Sequence, residues 1–210
     1  MAKTAKPPPG RLTYTIGDRL YVNLTDGCSL KCQFCFKNAG PGPIIEDNDL
    51  ALAHQPSATD IRKALREAMD GFDEVVFCGF GEPTLRFPTL LELAEFIKRH
   101  GKRVRLVTDG LANRVYRRDI TPQLAGRIDS VSVSLNAADA ATYHALCNPP
   151  WPDAFEYVCD FLRKVRDHVP EVTATAVAGL DGVDIAACRR LAEDELGVAF
   201  RPRSRDVIAE

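Results

Sequence analysis

Short runs rich in β-branched and apolar residues recur at positions 20–24, 74–77, 104–107, 130–134, 172–176 and 198–200. Between them, apolar positions fall three and four apart, the spacing of helices that bury one face. Ser57-Ala-Thr-Asp60 reads as a capping box with Asp in place of the usual Glu. It leads into Ile61, Leu65, Ala68, Met69 and Phe72 on one face. Pro88, Leu90, Ala94 and Ile97 mark a second helix, and Gly101 is a suitable residue to end it. Further helices are expected over 121–126 and 138–146, around Phe155, Val158, Leu162 and Val165, and around Ile185, Cys188 and Ala192. Six strands alternating with helices predict a parallel α/β architecture with right-handed crossovers. Periodicity leaves open whether the sheet closes; curled like a (β/α)8 barrel, six strands make a partial barrel, open on one side. In either layout, chemistry belongs at the C-terminal ends of the strands.

The three consecutive prolines and glycine at 7–10 suit neither helix nor ladder. Residues 1–18 are therefore expected to be a flexible tail and short N-terminal extension, 19–205 one domain, and 206–210 a C-terminal tail. With 45% hydrophobic residues in 210, the chain has ample material for a core. The 27 basic and 29 acidic residues leave a formal charge of −2, so no global field favours nucleic acid or an anionic membrane. No apolar run approaches the ~20 residues of a membrane span. The expectation is a cytoplasmic protein with no membrane partner. Seven cysteines, three of them crowded together, fit reduced thiols holding a metal better than a disulfide framework.

The strand ends concentrate reactive residue types. After the first strand comes CSLKCQFC, with Cys28, Cys32 and Cys35, followed by a loop over 38–43 long enough to fold over a site. After the second stands CGFGEPT, residues 78–84; after the third, Thr108-Asp-Gly110; after the fourth, Ser134 and Asn136. Arg201 and Arg203 lie at the last strand. A closed tetrahedral metal site wants four ligands, and the cysteine run offers three.

CxxxCxxC after the first strand, with Phe34 before its last cysteine, resembles the cluster loop of the radical S-adenosylmethionine (radical SAM) enzymes. Gly79-Phe-Gly-Glu-Pro83 resembles their Gly-Gly-Glu-Pro motif. The likeness extends over roughly residues 20 to 203 and implies a partial (β/α)6 TIM-like barrel. It implies that Cys28, Cys32 and Cys35 hold a 4Fe-4S cluster whose fourth iron stays open for the amino and carboxylate groups of S-adenosylmethionine. It further implies that Gly79 and Gly81 allow close approach to the methionine moiety, and that Glu82 and Pro83 belong to the segment binding its ammonium. Thr108 occupies the family's Thr-Asn-Gly-like place, with Asp109 departing from the commoner Asn and facing substrate. Ser134 and Asn136 match the ribose position. Phe34 and residues 177–180 would flank adenine, and Arg201 and Arg203 are candidates for the cofactor carboxylate or an anionic substrate group. The activity implied is reductive cleavage of S-adenosylmethionine to a 5′-deoxyadenosyl radical that abstracts hydrogen from a substrate. An external electron donor of flavodoxin or ferredoxin type would be the partner, and the substrate is open, a protein included.

Within the superfamily, the likeness is greatest to the radical proteins associated with TatD-type hydrolases. Glycyl-radical activating enzymes, which act on a protein partner, are the alternative enzyme reading. A non-catalytic zinc or iron-sulfur module is the other, with Cys78 completing a zinc site. Cys147, Cys159 and Cys188 read as buried small hydrophobes. Tyr143 and His144 suit proton or hydrogen relay, or plain packing on a covering helix; Trp151 suits either the substrate or a plug in a stiff loop.

Overall fold

The structure, a computed structural model, describes residues 10–36, 44–45 and 48–204. The predicted loop over 38–43 and the terminal segments 1–9 and 205–210 lie outside the described residues. The strands are β1 (Thr13–Ile16), β2 (Arg19–Val22), β3 (Ile44–Ile45), β4 (Asn48–Asp49), β5 (Glu74–Phe77), β6 (Arg103–Thr108), β7 (Ser130–Ser134), β8 (Glu171–Val177) and β9 (Ala199–Arg203). The α-helices are α1 (Ala58–Ala68), α2 (Phe87–Arg99), α3 (Ala112–Tyr116), α4 (Ala140–Cys147), α5 (Ala154–Val165) and α6 (Ile185–Arg190). Seven strands form one sheet in the order β1-β2-β5-β6-β7-β8-β9. The six from β2 onward run parallel, each beside its predecessor in that order. Steady addition on one side, with no reversal of order, lets same-handed crossovers keep the helices on one face. The result is an open α/β sheet of the partial-barrel kind expected.

β1 was not anticipated. It lies in the stretch expected as tail and extension, yet pairs antiparallel with β2 from Thr13↔Val22 to Ile16↔Arg19. The Gly17 turn, at φ 57°, reverses the chain between them. Without an apolar run of its own, this strand takes its order from the sheet edge it covers.

Side-chain alternation separates the two faces. Val22, Val75, Phe77, Val104, Leu106, Val131, Val133, Ala174, Ala176 and Phe200 share the main core with Ile61 and Leu65 of α1, Leu90 and Ile97 of α2, and Val158 and Leu162 of α5. The opposite face is the inside of the half-barrel. Tyr14, Tyr21, Ile45, Leu50, Val76 and Cys78 form a second, smaller apolar cluster there. Farther along, that face turns to Ser130, Ser132, Ser134, Thr173 and Thr175, and ends on Arg201 and Arg203. At the N-terminal end, Glu74 draws Arg19 to 3.2 Å and Arg105 to 3.0 Å.

The helix signals have physical counterparts. Ser57 caps α1 by accepting from the Asp60 amide, and Asp60 returns the bond to the Ser57 amide. Gly101 sits at φ 74° just past α2 and donates to the Lys98 carbonyl. The short helix expected over 121–126 is one 3-10 turn, Thr121–Leu124, and α3 was not foreseen. α6 runs on into a π-turn at Leu191–Glu195, which brings Ala192 into the core.

Candidate active site at the strand ends

A cavity of about 1040 Å³, including its open mouth, lies at the C-terminal ends of the parallel strands. Cys28, Cys32, Phe34 and Cys35 line one wall, Gly79, Gly81 and Glu82 a second, and Thr108, Asp109, Ser134, Asn136, Val177 and Arg203 the rest. Of the site residues predicted from sequence, Pro83 and Arg201 are not in the lining. Pro83 is buried at the first position of the 3-10 turn Pro83–Arg86, and Arg201 lies two residues below the rim on β9.

The glutamate loop is complete within the chain. Glu82 is 4% exposed, and every partner of its carboxylate is a donor. Its Oε1 accepts from the Thr84 amide (2.9 Å), the Thr84 hydroxyl (2.6 Å) and the Thr108 hydroxyl (2.8 Å), while Oε2 accepts from the Asp109 amide (2.7 Å). Glu82 thus also caps the turn that Pro83 begins, so the plain turn and the cavity wall coexist in one residue. Its own amide donates to the Gly27 carbonyl at 2.8 Å, tying this loop to the cysteine loop.

The two glycines also have a role within the chain. A Cβ on Gly81 would stand 2.2 Å from the Gly27 oxygen and 2.6 Å from that of Thr25; one on Gly79 would stand 2.5 Å from Asn23 Oδ1. The missing side chains therefore let two rim loops of the chain pack on each other. That requirement is met before any ligand arrives.

Asp109 is 7% exposed and joins three segments. Its Oδ1 accepts from the Leu111 amide at 2.9 Å, and Oδ2 accepts from the Ser29 hydroxyl in the cysteine run. Burial, then the Asp109 carboxylate, push Glu82 up to about 8, against the hydrogen bonds it receives; burial pushes Asp109 up as well. Two acids stand side by side in a dry wall, with no cation paired to either among the described residues.

The cysteine loop is held from outside. The Lys31 amide donates to the Cys147 carbonyl at 3.1 Å and the Gln33 amide to the Leu146 carbonyl at 2.9 Å, while Gln33 Nε2 reaches the Ala145 carbonyl at 2.8 Å. These are the otherwise unsatisfied carbonyls at the C-terminal end of α4. The Cys32 thiol is hydrogen-bonded to that of Cys147, which with burial pushes its pKa up. Cys147 was expected only as a buried small hydrophobe. Its place beside Cys32 follows from the docking of the loop on α4, which no spacing in the sequence announces. Asn136 sits at φ 62°, a left-handed conformation that asparagine tolerates. Its Nδ2 donates to Cys147 Sγ at 3.6 Å, and its Oδ1 is buried without a partner among the described residues.

Phe34 also lines a neighbouring crevice with Gln33, Leu146, Gly179, Leu180 and Asp181, so it meets the segment expected with it around adenine. Tyr143 is fully buried against Phe155, and His144 bonds the Pro152 carbonyl at 3.0 Å. Trp151 lies under the Arg114 guanidinium. None of these three lines the cavity, and packing is their role.

Among the described residues, no three His, Cys, Asp or Glu side chains form a ready-made metal-holding group. The donor chemistry nevertheless fits an iron-sulfur cluster: three soft thiols from one short loop share a cavity with the unpartnered Asn136 Oδ1 and Arg203 Nε.

The sequence profile of the Radical SAM superfamily matches residues 22–194, spanning every element from β2 to the turn after α6. The chain belongs to the Radical SAM superfamily. Its members are enzymes that use a 4Fe-4S cluster and S-adenosylmethionine. Streptococcus suis SuiB bound to its precursor peptide SuiA has the same fold over 90% of this chain and 39% of its own, at 20% identity and a TM-score of 0.66. Methylornithine synthase (PylB) matches 89% of this chain and 52% of its own at 15% identity, TM-score 0.58. The FeFe-hydrogenase maturase HydG from Carboxydothermus hydrogenoformans matches 91% and 46% at 16% identity, TM-score 0.57. This radical SAM chain therefore spans about half or less of the length of each of these structures. No curated protein matches it in sequence. Among the described residues, no helix is long and apolar enough to cross a membrane.

Proposed function

We propose that this chain cleaves S-adenosylmethionine reductively at a 4Fe-4S cluster held by Cys28, Cys32 and Cys35, and takes a hydrogen atom from a substrate at the rim cavity. One observation carries the reading: the three cysteines and the Glu82 wall, remote in sequence, border a single cavity at the strand ends. When bound, cluster and cofactor supply the electron transfer that breaks the carbon-sulfur bond, releasing methionine and a 5′-deoxyadenosyl radical. The chain's own part is to bind, orient and exclude water.

Glu82 and Asp109 give one wall carboxyl oxygens that suit the methionine ammonium, and a cation bound there would draw both acids toward their ionised forms. Glu82 already accepts four hydrogen bonds, so it acts as a fixed field more than as a grasping side chain. Thr108 holds that carboxylate still, and Gly79, Gly81 and Pro83 shape the wall behind it. Asn136 offers its free Oδ1, and Ser134 its hydroxyl, to the ribose hydroxyls. Phe34 and Val177 face the cavity from opposite sides and suit the adenine ring. An external donor of flavodoxin or ferredoxin type delivers the electron.

The finer resemblance, to the radical proteins associated with TatD-type hydrolases, rests on the CGFGEPT segment. A protein or peptide substrate is the second reading. It is favoured by the open side of the half-barrel and by SuiB, a protein of like fold bound to a precursor peptide.

Anaerobic reconstitution with iron and sulfide, dithionite reduction and electron paramagnetic resonance, with 5′-deoxyadenosine assayed in parallel, tests the proposal. The expected result is a reduced-cluster signal that shifts on adding S-adenosylmethionine, with slow release of 5′-deoxyadenosine. One tightly held zinc and no 5′-deoxyadenosine would overturn it in favour of a structural module.

A further inference from the structure

Arg203 stands out on the inner face of the sheet. It borders the cavity from the last strand, beside Ser204, and its Nε is buried with no hydrogen-bond partner among the described residues. It also enters none of the ion pairs formed among those residues, whereas Arg105 on the same face is matched to Glu74 at 3.0 Å. Burial disfavours its charge, yet a guanidinium keeps its proton in a protein. Arg203 is half-buried, and a charge held partly out of water with no opposite charge beside it is costly. Across the same cavity, Glu82 is saturated by four donors from the chain itself and has no call on Arg203. One pole of the site is complete, and the other shows no counter-ion among the described residues.

Resting on the reading of the site given above, we propose that Arg203 binds an oxyanion of the hydrogen-donating substrate, a carboxylate or phosphate, and so makes the substrate class anionic. The planar fork of guanidinium matches either group through two parallel hydrogen bonds. Ser204, next in sequence, lines the same cavity, and its hydroxyl suits one of an oxyanion's remaining lone pairs.

A carboxylate is also carried by S-adenosylmethionine, so the test separates the two sources. Cluster-loaded protein is titrated calorimetrically, at constant ionic strength, with S-adenosylmethionine and with its decarboxylated form; the complex with S-adenosylmethionine is then titrated with inorganic phosphate and with succinate. Wild type is expected to bind at least one of the two small anions saturably. Arg203→Gln should weaken that binding at least about ten-fold, as expected for losing a charge-assisted pair, and Arg203→Lys less. Affinity for S-adenosylmethionine should change by less than about two-fold in both variants. Anion binding that is absent from wild type, or equal in wild type and Arg203→Gln, overturns the proposal. So does a loss of affinity for S-adenosylmethionine that spares the decarboxylated form, because the guanidinium then serves the cofactor. If the protein retains no iron or does not bind S-adenosylmethionine, it is the radical reading that fails; the small-anion titration of the metal-free protein then decides the part of Arg203 by the same criterion. Arg203→Lys covers the case in which Arg203→Gln does not fold.

Discussion

The cysteine loop and the glutamate loop border one cavity and are built in opposite ways. The glutamate loop is stitched from within: Glu82 collects donors from two rim segments, and Gly81 lets its backbone lie against that of Gly27. The cysteine loop is propped from without, on three carbonyls at the end of α4, and its thiols meet no metal-like group among the described residues. The first is preorganised and costs nothing to arrange when a ligand arrives. The second is a set of soft donors whose own structure is finished only by what it binds. Substitutions in the two loops should therefore fail differently: one should lose its metal and keep its fold, the other the reverse.

The largest expected effect is on metal. Replacing Cys28, Cys32 or Cys35 singly with Ala should abolish most of the iron retained after anaerobic reconstitution, measured by elemental analysis. The unfolding midpoint of the metal-free protein should hardly move for Cys28, which is exposed. Iron content equal to wild type in any one of the three would break the contrast. Next comes Gly81→Ala, which sets a methyl against backbone oxygens that cannot give way. It should destabilise the metal-free protein by about 3 kcal/mol, the upper range for overpacking, as read by urea unfolding. A neutral result would return the glycine to a role in ligand approach.

Glu82→Gln sharpens the contrast with a smaller effect. The donor end of the new amide, Nε2, would face the Asp109 amide, which now donates to Oε2 at 2.7 Å. Leaving that pair unmade should cost about 2 kcal/mol in the metal-free protein. The same variant carries a pH signature. Because the native carboxyl of Glu82 is raised from its ordinary 4.5 to about 8, the folded chain keeps a proton that the unfolded chain has released. Its contribution to stability is full below pH 4.5 and is lost as pH rises through about 8. Unfolding midpoints of wild type should fall across that window, and those of Glu82→Gln should fall less. Parallel curves for the two proteins would show that the native carboxyl ionises in the ordinary range.

Most of the fold was legible because its signals are local. Each parallel strand of the main sheet holds or adjoins a short run rich in β-branched and apolar residues, with neighbours of helical period, and Ser57 and Gly101 mark helix ends through chemistry within a few residues. β1 was not, since Thr13–Ile16 has no pattern apart from the partner edge that orders it. The cavity was legible as a set of strand ends. Which side chains enter it depends on the sheet's alternation and on long-range docking. Thus Arg203, at the rim, lines the cavity and Arg201, one step lower on the same face, does not. The glycines were correctly seen as places that tolerate no side chain; what occupies the space is the neighbouring loop, a fact of tertiary contact. Cys147 lies farthest from any sequence signal, because only the seating of residues 31–33 on the end of α4 brings it to Cys32.

That last placement also supplies the finest test. A four-thiolate structural site needs a remote cysteine, and the sequence alone points to Cys78, which does border the cavity. Cys78 is nevertheless packed with Tyr14, Tyr21 and Val76 in the inner apolar cluster, while the thiol in contact with Cys32 belongs to Cys147. If three thiolates hold the metal, Cys78→Ala and Cys147→Ala each lose only buried sulfur, at about 1 kcal/mol, and retain the iron of wild type. Iron lost from Cys147→Ala but not from Cys78→Ala would make Cys147 a fourth ligand and close the coordination position that S-adenosylmethionine requires. The reverse pattern would restore Cys78 to that part. Retention in both leaves the incompleteness of the cysteine loop as its working property, in contrast to the closed hydrogen bonding around Glu82.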